Sequence, residues 1–229
     1  MNAHNDSMQV RWDQAHELPR FRPAYPHDQV VRWAFRNLDR NATPKAKVLD
    51  LGCGAGRHAI FFASEGFDVS ACDISAVALR ELQLVAERRS VVVHTHHTAG
   101  HDLSHYPDGA FDAVLCFGVI YYLSFEQAEK MVSEVFRVLR RGGKLCFVIR
   151  NEGDGRRVNA SPAGRCTWHI NALDPDAPSK TEEDMDMLFF SRGEVEKMFA
   201  PFAELCIDRM TYVHGNFTDD DWVVTAAKP

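Results

Sequence analysis

Residues 48–59, Val-Leu-Asp-Leu-Gly-Cys-Gly-Ala-Gly-Arg-His-Ala, run from an apolar strand through an acid and three alternating glycines into a helical pattern. Such a turn lets a ligand approach the backbone closely, because glycine has no Cβ and accepts positive φ. The short apolar runs and longer helical periods that follow predict βαβ units and a parallel sheet. Strands are expected at 47–51, 68–72, 91–95, 111–117 and 144–149. A capping box of Ser124 with Gln127 opens a helix over 124–140, which Gly142 and Gly143 are expected to stop. A second box, Ser191 with Glu194, opens a helix to about residue 199. Segments 204–213 and 221–227 are expected to pair antiparallel at one sheet edge, joined by a turn around Gly215-Asn216.

Two stretches depart from this rhythm. Residues 1–40 contain an amphipathic helix near 27–38, preceded by the aromatic and basic run Arg20-Phe21-Arg22-Pro23-Ala24-Tyr25-Pro26. With Trp12, this run is read as an N-terminal lid, since arginine clamps carboxylates and aromatic rings exclude water. Residues 151–188 are rich in Gly, Pro, Asp and Glu, and are read as an insertion covering an acceptor site. At 229 residues the chain suits a single domain, 1–229. The formal charge of −6 and the absence of Lys/Arg runs argue against nucleic acid or an anionic membrane as partner and leave a small molecule as the default. Six scattered cysteines without a C-x-x-C pair suit reduced thiols and a cytoplasmic location. No apolar run suggests a signal peptide or a membrane span.

Within the loop, Asp50 repels a diphosphate and suits a ligand bearing an ammonium group, which favours S-adenosylmethionine. Gly54 to Ala59 nevertheless satisfies G-x-G-x-x-A, so an NAD(P)-dependent oxidoreductase is the first alternative. Asp73 ends the second strand about 20 residues past the glycines, where an acid accepts hydrogen bonds from ribose hydroxyls. Asp102, followed by Leu103, stands after the third strand, where a carboxylate can take a hydrogen bond from an adenine amino group; capping a turn is its other reading.

On these residues the chain resembles the class I S-adenosylmethionine-dependent methyltransferases from about residue 28 onward. Val48 to Arg57 looks like that family's first motif, Asp73 its ribose acid, Asp102 its adenine-side acid, and Phe111-Asp112-Ala113-Val114 its fourth strand. Val138 to Gly143 is similar to the turn before its fifth strand, with Arg141 in place of the usual proline. The chain is also similar to the small tellurite-resistance-type and small-metabolite enzymes. The resemblance implies a Rossmann-like three-layer αβα sandwich whose seven-stranded, mostly parallel sheet has an antiparallel last strand. Donor contacts are then expected from Asp50, Gly52, Cys53, Gly54, Gly56, Asp73, Ile74, Asp102, Leu103 and Phe117, with Arg20 and Tyr25 from the lid.

Methyl transfer by in-line displacement needs alignment and a dry site more than an acid or base. Tyr121 and Tyr122, after the fourth strand, are candidates to orient the acceptor or relay a proton. Arg150 and Asn151 at the tip of the fifth strand, and Trp168 in the insertion, are candidates for acceptor contact, with His169 a further catalytic candidate. The acidic residues from Asp174 to Asp186 suit either a cationic acceptor or a solvated loop. His94, His96, His97, His101 and His105 lie close together, but their spacing completes no recognised ligand set, and no metal is expected. A noncatalytic donor-binding domain is the second alternative.

Overall fold

The computed structural model describes residues 3–177 and 180–229. Its central sheet alternates strands and helices in chain order: β1 (Lys47–Leu51), β2 (Asp68–Asp73), β3 (His94–His97), β4 (Phe111–Phe117) and β5 (Leu139–Arg150). β9 (Ala203–His214) and β10 (Phe217–Ala227) complete it, in the order β3-β2-β1-β4-β5-β10-β9. The pairs among β1 to β5 are parallel, whereas β10 runs antiparallel to both β5 and β9. The sheet is seven-stranded and mostly parallel, with helices on both faces.

Period-two alternation along β1 divides the core. Val48 packs in the cluster beneath α2 (Asp28–Asn37), α3 (Arg57–Ser64) and α4 (Ala76–Arg89), and Leu49 and Leu51 pack in the one beneath α5 (Phe125–Val138) and α6 (Arg192–Met198). Burial of such apolar faces against the sheet is what holds these helices, at about 25 cal/mol per Å² removed from water. The capping box of Ser124 and Gln127 is present, and Ser191 caps α6 by accepting from Glu194 N.

Boundaries shift in three places, one of them at β10, which begins at Phe217 rather than at the expected residue 221. β3 begins at His94 because Ser90 ends α4 in a left-handed conformation and residues 91–93 serve as connector, held in part by Gln83 Nε2 donating to Val93 O at 3.0 Å. The helix expected to stop at Gly142-Gly143 ends at Val138, and both glycines lie within β5, where the register against β4 shifts.

Two features were not anticipated. α1 (Ala3–Glu17) precedes the expected helix, and Met8, Trp12 and His16 recur on it at a spacing of four, along one face. Residues 151–188 contain a three-stranded antiparallel sheet of β6 (Ala160–Gly164), β7 (Thr167–Ile170) and β8 (Met185–Leu188). Its Ile170, Met185, Met187 and Leu188 enter the main core. The N-terminal segment is tied to the turn before β8: Arg11 of α1 donates to Glu183 O at 3.3 Å and Asp184 O at 3.1 Å, and Arg20, just past α1, donates to Thr181 Oγ1 at 3.2 Å. α1 is also tied to α4, where Asp13 Oδ1 accepts from Ser75 Oγ at 2.6 Å and Val77 N at 3.2 Å. No helix among the described residues is long and apolar enough to cross a membrane.

Candidate active site

At the carboxyl ends of β1, β2 and β4 lies a cavity of about 310 Å³, floored by the glycine loop and roofed by α1. This is where an open α/β sheet offers a crevice for ligands. Met8, Trp12 and His16 form the roof, Arg20 and Phe21 one rim, Asp73, Ile74, Ala99 and Gly100 one wall, and Phe117 to Val119 with Tyr122 the opposite wall.

The loop's geometry depends on glycine at Gly54 (φ +52°) and Gly56 (φ +88°). A Cβ built on Gly54 would lie 3.2 Å from His16 Cε1, so the absent side chain leaves the space between loop and roof. Asp73 holds the loop to the strand: its Oδ2 accepts from Gly54 N and its Oδ1 from Ser75 N, each at 2.8 Å. A carboxylate offers about four acceptor sites, so each oxygen retains capacity toward the cavity. Burial pushes the Asp73 carboxyl up, against the Ser75 and Gly54 amides and the nearby His16. Burial also lowers His16, whose Nδ1 is buried without a hydrogen-bond partner.

Asp50 is fully buried beneath the loop and does not line the cavity, so the direct ammonium contact expected of it is not formed by this arrangement. Burial raises its carboxyl to about 7, opposed by the Ala59 amide and Arg57. That amide belongs to the first turn of α3, one of the N–H groups a diphosphate would use in a dinucleotide site.

Around Phe117, at the tip of β4, three side chains converge. The rings of His27 and His58 lie 4.9 and 5.0 Å from its centroid, and the Arg57 guanidinium carbon lies 5.0 Å away. His58 Nε2 accepts from His27 N at 3.3 Å, and burial, with Arg57 beside it, holds His58 well below its ordinary value. His27 Nε2 meets Tyr212 Oη at 3.0 Å.

The structure brings together Gly52, Cys53, Gly54, Gly56, Asp73, Ile74, Phe117, Arg20 and Tyr122 at the cavity. Other expected residues lie elsewhere. Tyr25 is 80% exposed and outside the lining. Asp102 turns toward its own loop, its Oδ1 accepting from Ser104 Oγ at 2.7 Å, and Leu103 is fully buried in the core; Ala99 and Gly100 stand at the wall instead.

Tyr121 accepts a hydrogen bond from Arg150 Nη2 at 3.1 Å, and Arg150 sits with Arg156 in a buried network with Asp154, Asp219, Asp221 and Glu182. Asn151 Oδ1 accepts from Gly153 N at 2.7 Å, which turns the chain into the insertion. Tyr122, on the cavity wall, donates to Glu182 Oε1 at 2.9 Å. Burial pushes the Tyr121 phenol up to about 12 and Tyr122 well above its ordinary value, so both are protonated at neutral pH. Trp168 packs under Arg157, and His169 pairs with Asp184 and Asp186 away from the cavity.

Sequence reasoning missed His16, Met8, His58 and Arg57 as lining residues. The four-residue spacing of Met8, Trp12 and His16 was the available signal. The clustered histidines assemble no metal site: His96 and His105 stack at 3.5 Å, and among the described residues no group of three His, Cys, Asp or Glu is placed to hold an ion.

Residues 48–143 match the family described as a methyltransferase domain. This match, the strand order and the glycine-loop cavity agree with the resemblance to the class I S-adenosylmethionine-dependent methyltransferases. In sequence it is similar to the glycine/sarcosine N-methyltransferase of Parasynechococcus marenigrum, 30% identical over 152 residues that cover 59% of this chain and 54% of that protein. It is also similar to the tRNA 5-carboxymethoxyuridine methyltransferase of Escherichia coli, 29% identical over 129 residues covering 54% and 48%. In fold it is similar to the magnesium protoporphyrin IX methyltransferase of Synechocystis, solved with S-adenosylhomocysteine. That likeness has a TM-score of 0.72 at 16% identity and covers 99% of this chain and 100% of that one. The chain spans about half the length of the curated relatives it matches.

S-adenosylmethionine is the cofactor of this class, and the residues present fit it. Asp73 retains acceptor capacity for ribose hydroxyls, the missing Cβ of Gly54 leaves a cradle under α1, and Ile74, Val119 and Leu123 supply apolar surface for a base.

Proposed function

We propose that this protein transfers the methyl group of S-adenosylmethionine to a small-molecule acceptor and releases S-adenosylhomocysteine. The observation that supports this best is Asp73: half-buried at the end of β2, it bonds the Gly54 amide of the loop and faces a cavity of about 310 Å³. When bound, S-adenosylmethionine supplies a methyl group activated by its sulfonium.

The chain's own residues bind, orient and exclude water. Asp73 holds the ribose hydroxyls, and the Arg20 guanidinium receives the carboxylate of the amino acid end. Met8, Trp12 and Phe21 roof the cavity and keep it dry, which strengthens the electrostatic contacts within. Phe117, Gly118 and Tyr122 face the reacting end and fix the acceptor's approach. No protonated tyrosine serves as a base here, so alignment supplies the rate, as in-line displacement allows. The N-terminal segment acts as the lid, with α1 as its roof, and the turn before β8 anchors it through Arg11 and Arg20.

Calorimetric titration with S-adenosylhomocysteine and with NAD tests the reading. Micromolar or tighter binding of the former and none of the latter is expected, followed by S-adenosylhomocysteine release when a metabolite panel is offered with S-adenosylmethionine. Binding of NAD alone would overturn it.

A further inference from the structure

The cavity holds one cation more than the donor needs. Its lining includes two arginines, Arg20 and Arg57, and one carboxylate, Asp73. Both lining imidazoles, His16 and His58, are lowered by burial and so favour the neutral form. Arg20 lies at the lid and is held by Thr181 Oγ1. Arg57, the first residue of α3, is placed differently. Its guanidinium is half-buried, stands over the Phe117 ring at 5.0 Å, and has neither an ion pair within 4.0 Å nor a hydrogen bond to any described residue. Asp50 acts on it only from a distance, and burial lowers it.

A contact with an aromatic face uses no N–H···O bond, so all five N–H donors of Arg57 lack an acceptor among the described residues. Partial desolvation of a cation is unfavourable unless an anion or water compensates. The donor carries a single carboxylate, which belongs to the end of the cavity beneath Arg20. Arg57 stands instead at the tip of β4, beside Phe117, where the acceptor approaches.

We propose that Arg57 is an acceptor-binding residue and that the methyl acceptor carries a carboxylate or a comparable planar anion, gripped by the Arg57 guanidinium above Phe117. This rests on the donor reading given above. Arginine suits the task because its planar fork matches a carboxylate in two parallel hydrogen bonds. The Asp174–Asp186 stretch does not oppose it. Asp176 accepts from Asn216 N, Asp184 and Asp186 pair with His169, and Glu182 pairs with Arg156, so none of these lines the cavity.

The test uses the full chain saturated with S-adenosylhomocysteine. Melting temperature is measured with carboxylic acids, each beside its own primary amide at equal concentration: acetate and acetamide, benzoate and benzamide, indole-3-acetate and indole-3-acetamide. At least one acid is expected to raise the melting temperature where its amide does not, with binding tighter by about tenfold or more. Arg57→Gln is expected to abolish that preference while retaining S-adenosylhomocysteine affinity, and Arg57→Lys to keep part of it. No acid outperforming its amide, or a glutamine variant that keeps the preference, overturns the assignment. So does a glutamine variant that loses S-adenosylhomocysteine, because Arg57 would then serve the donor. Wild-type protein that binds no S-adenosylhomocysteine overturns the donor reading and this inference together, whereas normal binding without an acid preference overturns this one alone.

Discussion

Trp12 of α1 and Tyr122 after β4 meet edge to face across the cavity, with ring centroids 4.7 Å apart. Two segments 110 residues apart in sequence thereby close one opening, and Tyr122 is itself fixed by its bond to Glu182 of the insertion. α1, cavity wall and insertion are joined at this point.

Trp12→Ala removes the ring contact and part of the roof while leaving the sheet intact. S-adenosylhomocysteine affinity is expected to fall by about tenfold, the equivalent of about 1.4 kcal/mol. Calorimetry on the folded variant measures this, and unchanged affinity would show that α1 does not serve as the lid.

Asp73→Ala deletes the acceptor of the Gly54 and Ser75 amides and the ribose contact proposed for it. Donor affinity is expected to drop by about 1–3 kcal/mol. Asp73→Asn separates the two effects, because its amide oxygen keeps one backbone bond. A variant that binds the donor normally would remove Asp73 from the site.

Asp50 carries a pH signature. Its carboxyl is raised to about 7 in the folded chain, whereas an unfolded aspartate titrates near 3.9. Between these values the native state holds the extra proton, so the contribution of Asp50 to stability is full at low pH and is lost as pH rises toward 7. Histidines lowered by burial act in the opposite direction, so the difference between variants is the quantity to follow. Relative to wild type, Asp50→Asn is expected to gain stability from pH 5 to 7, at up to about 1.4 kcal/mol per pH unit. Denaturant titrations across that range measure it, and a flat difference would contradict the raised carboxyl of buried Asp50.

Asp154 lies at the centre of the buried network. Its Oδ2 accepts from Asp220 N at 2.9 Å and Arg150 Nη1 at 3.2 Å, and its Oδ1 from Arg156 N at 2.9 Å. Asp154→Ala leaves two buried guanidinium groups short of charge, and a loss of about 3–5 kcal/mol is expected. Equilibrium unfolding tests this, and a loss below about 1 kcal/mol would mean that water replaces the carboxylate.

Local chemistry made much of this protein legible in its sequence. The glycine loop, Asp73 at a strand end, the caps at Ser124 and Ser191 and the hairpin of the last two strands each reside in a few consecutive residues whose conformational preferences are intrinsic. Their periodicity also determined the parallel sheet. What only the tertiary structure decided was partnership between distant positions. Arg150, Asn151 and Tyr121 sit at strand and turn positions that face a ligand in many such folds, yet here they are consumed by a buried ion network and a turn. α1 is mostly polar, and its narrow stripe of Met8, Trp12 and His16 acquires meaning only against the loop of Gly54. The four- and five-residue strands of the insertion are too short for alternation to reveal, and the pairing of Arg11 with Glu183 leaves no local trace. Burial and charge pairing depend on what the folded chain brings near, and no window of sequence contains that information.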